Sequence, residues 1–89
     1  MNKADFKRIV KDGVSRNREF MVVKIETENN PKPEIIINSF ENFAAKMAYY
    51  TKAYNDGMEL INAKENGKSI RIVDVLMTSN LADLKWFAY

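Results

Sequence analysis

The side chains of this sequence that are able to do chemistry are mainly carboxylates and hydroxyls. Glu26, Glu28 and Glu34 lie close together along the chain, and a pair of carboxylates with different pKa values is what acid–base catalysis in a glycosidase requires. The residues around them, TENNPKPE, predict instead the polar tip of a hairpin, where carboxylates are hydrated. The spacing therefore does not favour acid–base catalysis.

The hydroxyl groups lack a partner that would activate them as nucleophiles. Serines occur at positions 15, 39, 69 and 79, but the chain has no histidine and no cysteine, which removes thiol catalysis, disulfides and nearly all zinc and iron sites. Glycine occurs only at positions 13, 57 and 67, so there is no glycine-rich phosphate loop. We therefore expect no catalytic residue, no cofactor and no metal, and predict that the protein is not an enzyme.

Basic residues are concentrated near the N-terminus. Residues 1–18 carry six basic and two acidic side chains, a net charge of +4, whereas the whole chain carries +2, so the remainder carries −2. A helix face of this kind either contacts nucleic-acid phosphates or is simply solvated, and no aromatic residue is interleaved as a single-strand platform requires. The residues of this candidate nucleic-acid surface are Lys7, Arg8, Lys11, Arg16 and Arg18.

Aromatic residues form the candidate protein-binding surface. In the segment from residue 38 to 58, helical spacing places Tyr49 opposite the apolar stripe, between Ala45 and Ala53, where an aromatic ring can anchor a partner. The alternative is a lone exposed tyrosine, or one covered by a terminal segment of the same chain. Trp86 and Tyr89 at the C-terminus are either part of a lid on the core or a patch that a partner or a second copy covers.

The segment that must position these aromatics is predicted to be a central helix over residues 39–56. Asn38 is expected to cap it together with Glu41, and Gly57 is expected to end it in a left-handed conformation. A stripe at helical spacing predicts the buried face. Its members are Phe40, Phe43, Ala44, Met47, Thr51, Tyr54 and Met58.

The remaining segments predict short elements around this helix. A helix over 2–12 should be capped by Asn2 with Asp5 and stopped by Gly13, and strands over 19–28 and 33–37 should form a hairpin. Asn66-Gly67 predicts a second hairpin that joins residues 58–65 to 70–77, unless residues 58–64 are helical. Asn80 and Asp83 should cap a last helix over 81–87, with Leu81 and Leu84 facing inward.

These elements predict a single α+β domain over residues 1–89 in the order α-β-β-α-β-β-α, with an antiparallel sheet of three or four strands packed on the central helix. The hydrophobic content of 46 % and charged content of 29 % are typical of globular domains. The sequence contains no apolar stretch long enough for a membrane span, so we expect no membrane association and a cytoplasmic location.

The run PEIIINSFENFAAKMAYYTKAYNDGMELINAKENGKSIRIVDVL resembles short proteins carried by prophages and mobile elements of low-GC Gram-positive bacteria. The resemblance implies an accessory protein that binds a protein partner stoichiometrically, for example as an inhibitor of a defence system. Two alternatives remain open at this point. One is a small nucleic-acid-binding protein, and the other is a structural homodimer sealed by Trp86, Phe87 and Tyr89, so the chain is expected to be a monomer or a homodimer.

Overall fold

The architecture is an α+β fold with a three-stranded antiparallel sheet, as the sequence predicts, and helical segments cover both faces of the sheet. The computed structural model describes residues 1–88. Their elements are α1 (Lys3–Ser15), β1 (Phe20–Thr27), β2 (Glu34–Ser39), α2 (Phe43–Ala53), α3 (Ile61–Glu65), β3 (Ile70–Thr78), a 3-10 turn (Leu81–Asp83) and α4 (Leu84–Phe87).

The sheet has the order β2-β1-β3, so β1 is the central strand and β2 lies at an edge. The hairpin of β1 with β2 is confirmed, and its register runs without interruption from Phe20 opposite Ser39 to Ile25 opposite Glu34. The pairing of β1 with β3 contains a bulge between Lys24 and Ile25. A strand whose two faces are both covered needs apolar residues on both faces, which explains the run of fully buried side chains from residue 21 to 23.

The two faces of the sheet have different covers. Met21, Val23 and Ile25 of β1 face the main core, which is closed by Phe6 and Val10 of α1, Tyr50 of α2 and Tyr54 directly after α2. The main core also takes in Met58, Ile72 and Val75. The start of α1 is tied to α2 and to the turn that follows it, since the Lys3 ammonium donates to Thr51 O of α2 at 2.7 Å and the Lys3 amide donates to Asp56 O beyond it at 2.8 Å.

Helix α1 begins as predicted but ends later. The Asn2 side chain accepts from the Asp5 amide at 2.8 Å, which caps the first turn. Gly13 does not stop the helix, which continues to Ser15. Its role is close packing, because a Cβ atom at this position would lie 2.4 Å from both Cβ and Cγ of Met77 on β3.

Helix α2 is shorter than the predicted central helix. Residues 38 and 39 continue β2, and the Asn38 amide group is buried, where it donates to Met21 O and to the Tyr50 hydroxyl, both at 3.2 Å. The predicted Asn38 cap is therefore wrong. Asn42 precedes the helix in a left-handed conformation, with φ of 53°. The predicted left-handed stop at Gly57 is also wrong, because the positive φ belongs to Met58.

The buried face of α2 is rotated relative to the predicted stripe. Tyr50 and Tyr54 are buried and Met47 is half-buried, but Ala44 is exposed. Predicted stripe members Phe40, Tyr54 and Met58 lie outside the helix, with Tyr54 as its extended C-terminal cap. Without them, the centre of the apolar face moves toward Tyr50.

The second hairpin predicted around Asn66-Gly67 does not form, and the sheet has three strands among the described residues. Residues 61–65 form α3, in agreement with part of the alternative in which 58–64 are helical. Gly67 takes a φ of +73° at the end of that helix. Its amide donates to Lys64 O and the Lys68 amide donates to Ala63 O, which is the Schellman arrangement of a helix C-terminus.

The C-terminal segment covers the second face of the sheet. Phe87 is buried, and the Lys24 ammonium lies 4.8 Å from the centre of its ring. Asn80 accepts from the Ala82 amide as predicted, whereas Asp83 accepts from the Thr78 hydroxyl at 2.7 Å instead of completing a capping box. Leu84 is half-buried, but the prediction that Leu81 faces inward is wrong because Leu81 is exposed. Among residues 1–88, no helix combines the length and apolarity needed to cross a membrane.

Candidate binding surface

Tyr49 lies on the outward face of α2 with 54 % of its surface exposed, as the helical spacing predicts. Its ring is held in place from below by two buried tyrosines. The ring centres of Tyr49 and Tyr50 are 5.3 Å apart and those of Tyr49 and Tyr54 are 6.2 Å apart, both in edge-on geometry. Tyr50 in turn packs on Phe6 of α1, with ring centres 5.7 Å apart. The exposed ring therefore rests on the main core.

The hydroxyl groups beneath Tyr49 are in a poorly solvated environment. Burial raises the pKa of the Tyr54 hydroxyl well above its ordinary value, and the adjacent Tyr49 and Tyr50 raise it further. Burial also raises the pKa of the Tyr50 hydroxyl, although the hydrogen bond from Asn38 partly opposes this. Both hydroxyls stay protonated at neutral pH, so they act as hydrogen-bonding groups rather than as bases.

The two alanines predicted to flank Tyr49 differ in their surroundings. Ala45 is exposed, whereas Ala53, the last residue of α2, is half-buried and packs against the core. The free space next to Tyr49 is therefore on the Ala45 side. Ala48 is also exposed, so two small side chains lie beside the ring, and Lys46 and Lys52 are its charged neighbours at three residues' spacing on the helix.

Trp86 is the most exposed of the large apolar side chains in the described part of the chain, at 62 %. It contacts Phe87 edge-on, with ring centres 6.1 Å apart, but its indole faces solvent while Phe87 faces the sheet. Of the aromatic residues at the C-terminus, Phe87 therefore covers the sheet as a lid residue and Trp86 is exposed. Tyr89 lies outside the described residues.

The five basic residues of the candidate nucleic-acid surface are all exposed on α1 and the turn that follows it. Two of them are close to carboxylates of the same helix. Arg8 lies 3.5 Å from Asp5, and Arg16 lies 3.2 Å from Asp12. Exposed pairs of this type are weak, but each places a negative charge where a phosphate would have to approach. The positive potential of α1 is therefore lower than the count of basic residues indicates.

The carboxylates considered for acid–base chemistry are exposed. Glu26 lies 3.7 Å from Arg71 across the β1–β3 pair, and Glu28 and Glu34 face solvent. Within residues 1–88, no group of acidic side chains has the arrangement of a metal site.

One surface residue was missed by the sequence reasoning. Ile37 belongs to the strand predicted over residues 33–37 and was not among the candidate surface residues, but β2 is an edge strand and 46 % of Ile37 is exposed. The three consecutive isoleucines of β2 could have indicated this exposure, because successive residues of a strand point to opposite faces and a short edge strand does not bury both faces.

Comparison with known proteins adds no family to this description. No protein-family model matches the chain, and neither a curated protein nor a solved structure shows significant similarity to it. The fold and the surface define the class, which is a small α+β domain with exposed aromatic residues.

Proposed function

We propose that this protein is a non-enzymatic protein-binding module and that Tyr49 is its anchor. The observation that carries the proposal is the support of an exposed tyrosine ring by two buried ones, at 5.3 and 6.2 Å between ring centres. A side chain already fixed in the free protein loses little conformational entropy on binding, so more of its contact energy contributes to affinity.

The surroundings of Tyr49 support this role. Ala45 beside the ring allows a partner to approach the backbone of α2, and the tyrosine hydroxyl supplies a polar contact at the edge of an apolar surface. Trp86 is a second aromatic contact in the proposal. Tyrosine and tryptophan are the residue types most often found at the energetic centre of protein interfaces.

The proposal includes the accessory role expected from the resemblance to prophage proteins, in which the domain acts stoichiometrically on host or phage machinery, for example as an inhibitor of a defence system. The nucleic-acid alternative has less support because Arg8 and Arg16 already pair with carboxylates. It requires an affinity that falls steeply with salt, so a flat response between low and moderate salt would contradict it.

Affinity capture from a lysate of a low-GC Gram-positive host tests the proposal. Immobilised wild-type protein is compared with Tyr49→Ala, Tyr49→Arg and Tyr49→Phe, and the captured proteins are quantified by mass spectrometry. We expect the first two variants to reduce capture of the partner by about ten-fold or more, as loss of a central interface aromatic does, and Tyr49→Phe to retain most of it.

Val14→Ala is the matched control, since Val14 is a 43 % exposed apolar residue on a different helix. Urea unfolding of each variant separates lost binding from lost folding. Equal capture by wild type and both Tyr49→Ala and Tyr49→Arg, with all three folded, would remove Tyr49 from the interface and refute the proposal.

A further inference from the structure

The outer edge of β2 is a second interaction surface, separate from Tyr49. The sheet order leaves β2 paired on one side only, with β1, and no other strand among residues 1–88 pairs with its outer side. The opposite edge of the sheet is partly closed, because the Leu60 amide donates to Ile70 O and the Ile72 amide donates to Met58 O. Unpaired backbone groups along an extended strand fit another extended strand.

Glu34 and Lys46 place charges at the two ends of β2, and the strand between them lacks the features that normally prevent strand addition. Its sequence EIIINS contains no lysine and no proline, and its pairing with β1 has no bulge. Ile37 exposes 46 % of its surface on the face opposite α2. An added strand would cover part of this side chain as well as the backbone edge.

The charges at the two ends of β2 point to a second copy of the chain as the occupant. Exposed Glu34 begins the strand, and at the other end the Lys46 ammonium donates to Ser39 O at 2.8 Å. When two copies of β2 pair in antiparallel fashion, the Glu34 end of each strand lies beside the Ser39 end of the other, so the same contact occurs twice. Each copy therefore sets its acid next to the base of the other.

Symmetry limits the registers of such a pair. Directly opposed residues in antiparallel strands face the same side of the sheet, so a two-fold axis perpendicular to the sheet must lie between the two copies of one β2 residue, and Ile37 is the residue that fits best. An axis at Ile37 places the two Ile37 side chains opposite each other and Ile35 opposite Ser39. It also leaves Pro33, which has no amide hydrogen, outside the ladder.

We propose that two copies of this protein associate through antiparallel pairing of β2 about Ile37, forming a continuous six-stranded sheet. A single strand pair is smaller than the interface of about 800 Å² per partner found in stable complexes. The dissociation constant is therefore expected to be on the order of 100 μM.

Sedimentation velocity over a concentration series from 10-fold below to 10-fold above that constant is the test. We expect wild type to shift from monomer to dimer, and Ile37→Lys to remain monomeric, because a lysine at an edge strand opposes its own copy across the axis. Ile61→Lys is the matched control, since Ile61 is a 36 % exposed isoleucine on α3, and it should dimerise as wild type does.

Exchanging the charges of Glu34 and Lys46 tests whether the strand that binds the β2 edge belongs to a second copy of the chain. Glu34→Lys and Lys46→Glu should each weaken self-association by about ten-fold at low salt, since two pairs are reversed in each dimer. An equimolar mixture of the two variants restores both attractive pairs and should dimerise. Circular dichroism melting confirms that the variants are folded.

Three results would overturn the proposal. They are a wild type that stays monomeric throughout the series, a dimer that Ile37→Lys leaves intact, and a mixture of the charge variants that associates no better than either alone. Loss of the dimer in Trp86→Ala but not in Ile37→Lys would instead assign self-association to the C-terminal aromatic.

Discussion

Replacing Gly13 by alanine tests the packing of α1 on the sheet. In an isolated helix this change is favourable by about 0.5–1 kcal/mol, because glycine has the larger conformational freedom in the unfolded chain. Here the added methyl group would lie 2.4 Å from Cβ and Cγ of Met77 and 2.8 Å from its Cε. Since carbon atoms in contact are normally about 3.5–4 Å apart, helix and strand must separate.

The size of the effect follows from which atoms are in the way. The Cγ and Cε atoms of Met77 can move by a change of rotamer, but its Cβ is fixed to the backbone of β3. Overpacking of a core typically costs about 1–3 kcal/mol, and a shift of α1 also loosens Phe6 and Val10, which are both buried. We expect Gly13→Ala to lower the free energy of unfolding by about 1–2 kcal/mol after the helix preference is included.

Urea denaturation followed by circular dichroism measures this change, and the other two glycines provide controls. At Gly57 the nearest atom to an added Cβ is 3.6 Å away and φ is not positive, so Gly57→Ala should lie within about 0.5 kcal/mol of wild type. At Gly67 space is open but φ is +73°, so Gly67→Ala should cost about 1 kcal/mol through backbone strain alone.

The three variants should therefore lose stability in a fixed order, with Gly13→Ala losing most, Gly67→Ala less and Gly57→Ala least. Met77→Ala in the Gly13→Ala background should recover only part of the loss, because the Cβ contact remains. If Gly13→Ala stabilised the protein as alanine stabilises an isolated helix, α1 would not approach β3 at this point and the described packing would be wrong.

Three further predictions concern the tyrosine cluster and the C-terminus. Asn38→Ala should cost about 1–3 kcal/mol, because it leaves Met21 O and the Tyr50 hydroxyl without their donor, and a cycle with Tyr50→Phe measures the coupling of the pair. The raised pKa of Tyr54 means that the unfolded chain releases this proton first, so its contribution to stability is complete below about pH 10 and lost at higher pH. Urea unfolding across that range should therefore show a smaller loss for Tyr54→Phe than for wild type, and an equal loss would contradict the assignment. Trp86, the single tryptophan, should have the red-shifted emission of a hydrated indole and be quenched readily by acrylamide, whereas blue-shifted emission would indicate a buried ring.

The sequence predicted the elements whose local signals agree with their packing. β1 carries apolar residues on both faces at its start and alternates from Val23 to Glu26, and it is followed by a loop with two prolines, so the hairpin with β2 has one good register. Asn2 caps α1 because no other segment competes for its side chain. Asn38 has the same residue type and the same relation to an apolar stripe, but its amide is needed inside the core by Met21 and Tyr50. That demand arises only in the folded protein.

The Asn66-Gly67 pair shows why one local signal can belong to two structures. A type I′ hairpin and a helix C-terminus both need a residue in a conformation with positive φ, and Gly67 has this conformation at the end of α3. The outcome depends on the preceding segment, which contains the good helix formers Ala63, Lys64 and Glu65. The Leu60 amide donates to Ile70 O and Glu59 pairs with Arg71, so a short antiparallel contact with β3 forms where the chain enters the helix, in a register that differs from the predicted hairpin.

The candidate anchor could be located from the sequence, but its rigidity could not. Helical spacing puts Tyr49 outside and leaves Tyr50 at the edge of the stripe, and only the folded chain brings Tyr54 back beneath both rings after α2 has ended. The ring contacts of Tyr49 with Tyr50 and Tyr54 therefore both fix the proposed anchor and contribute to the packing of the core. Tyr49→Ala and Tyr49→Arg both remove the ring and should lose some stability as well as binding, whereas Tyr49→Phe keeps the ring contacts and should retain most of both if the anchor role is correct. The comparison of capture with unfolding in the same three variants is thus what distinguishes an interface residue from a packing residue.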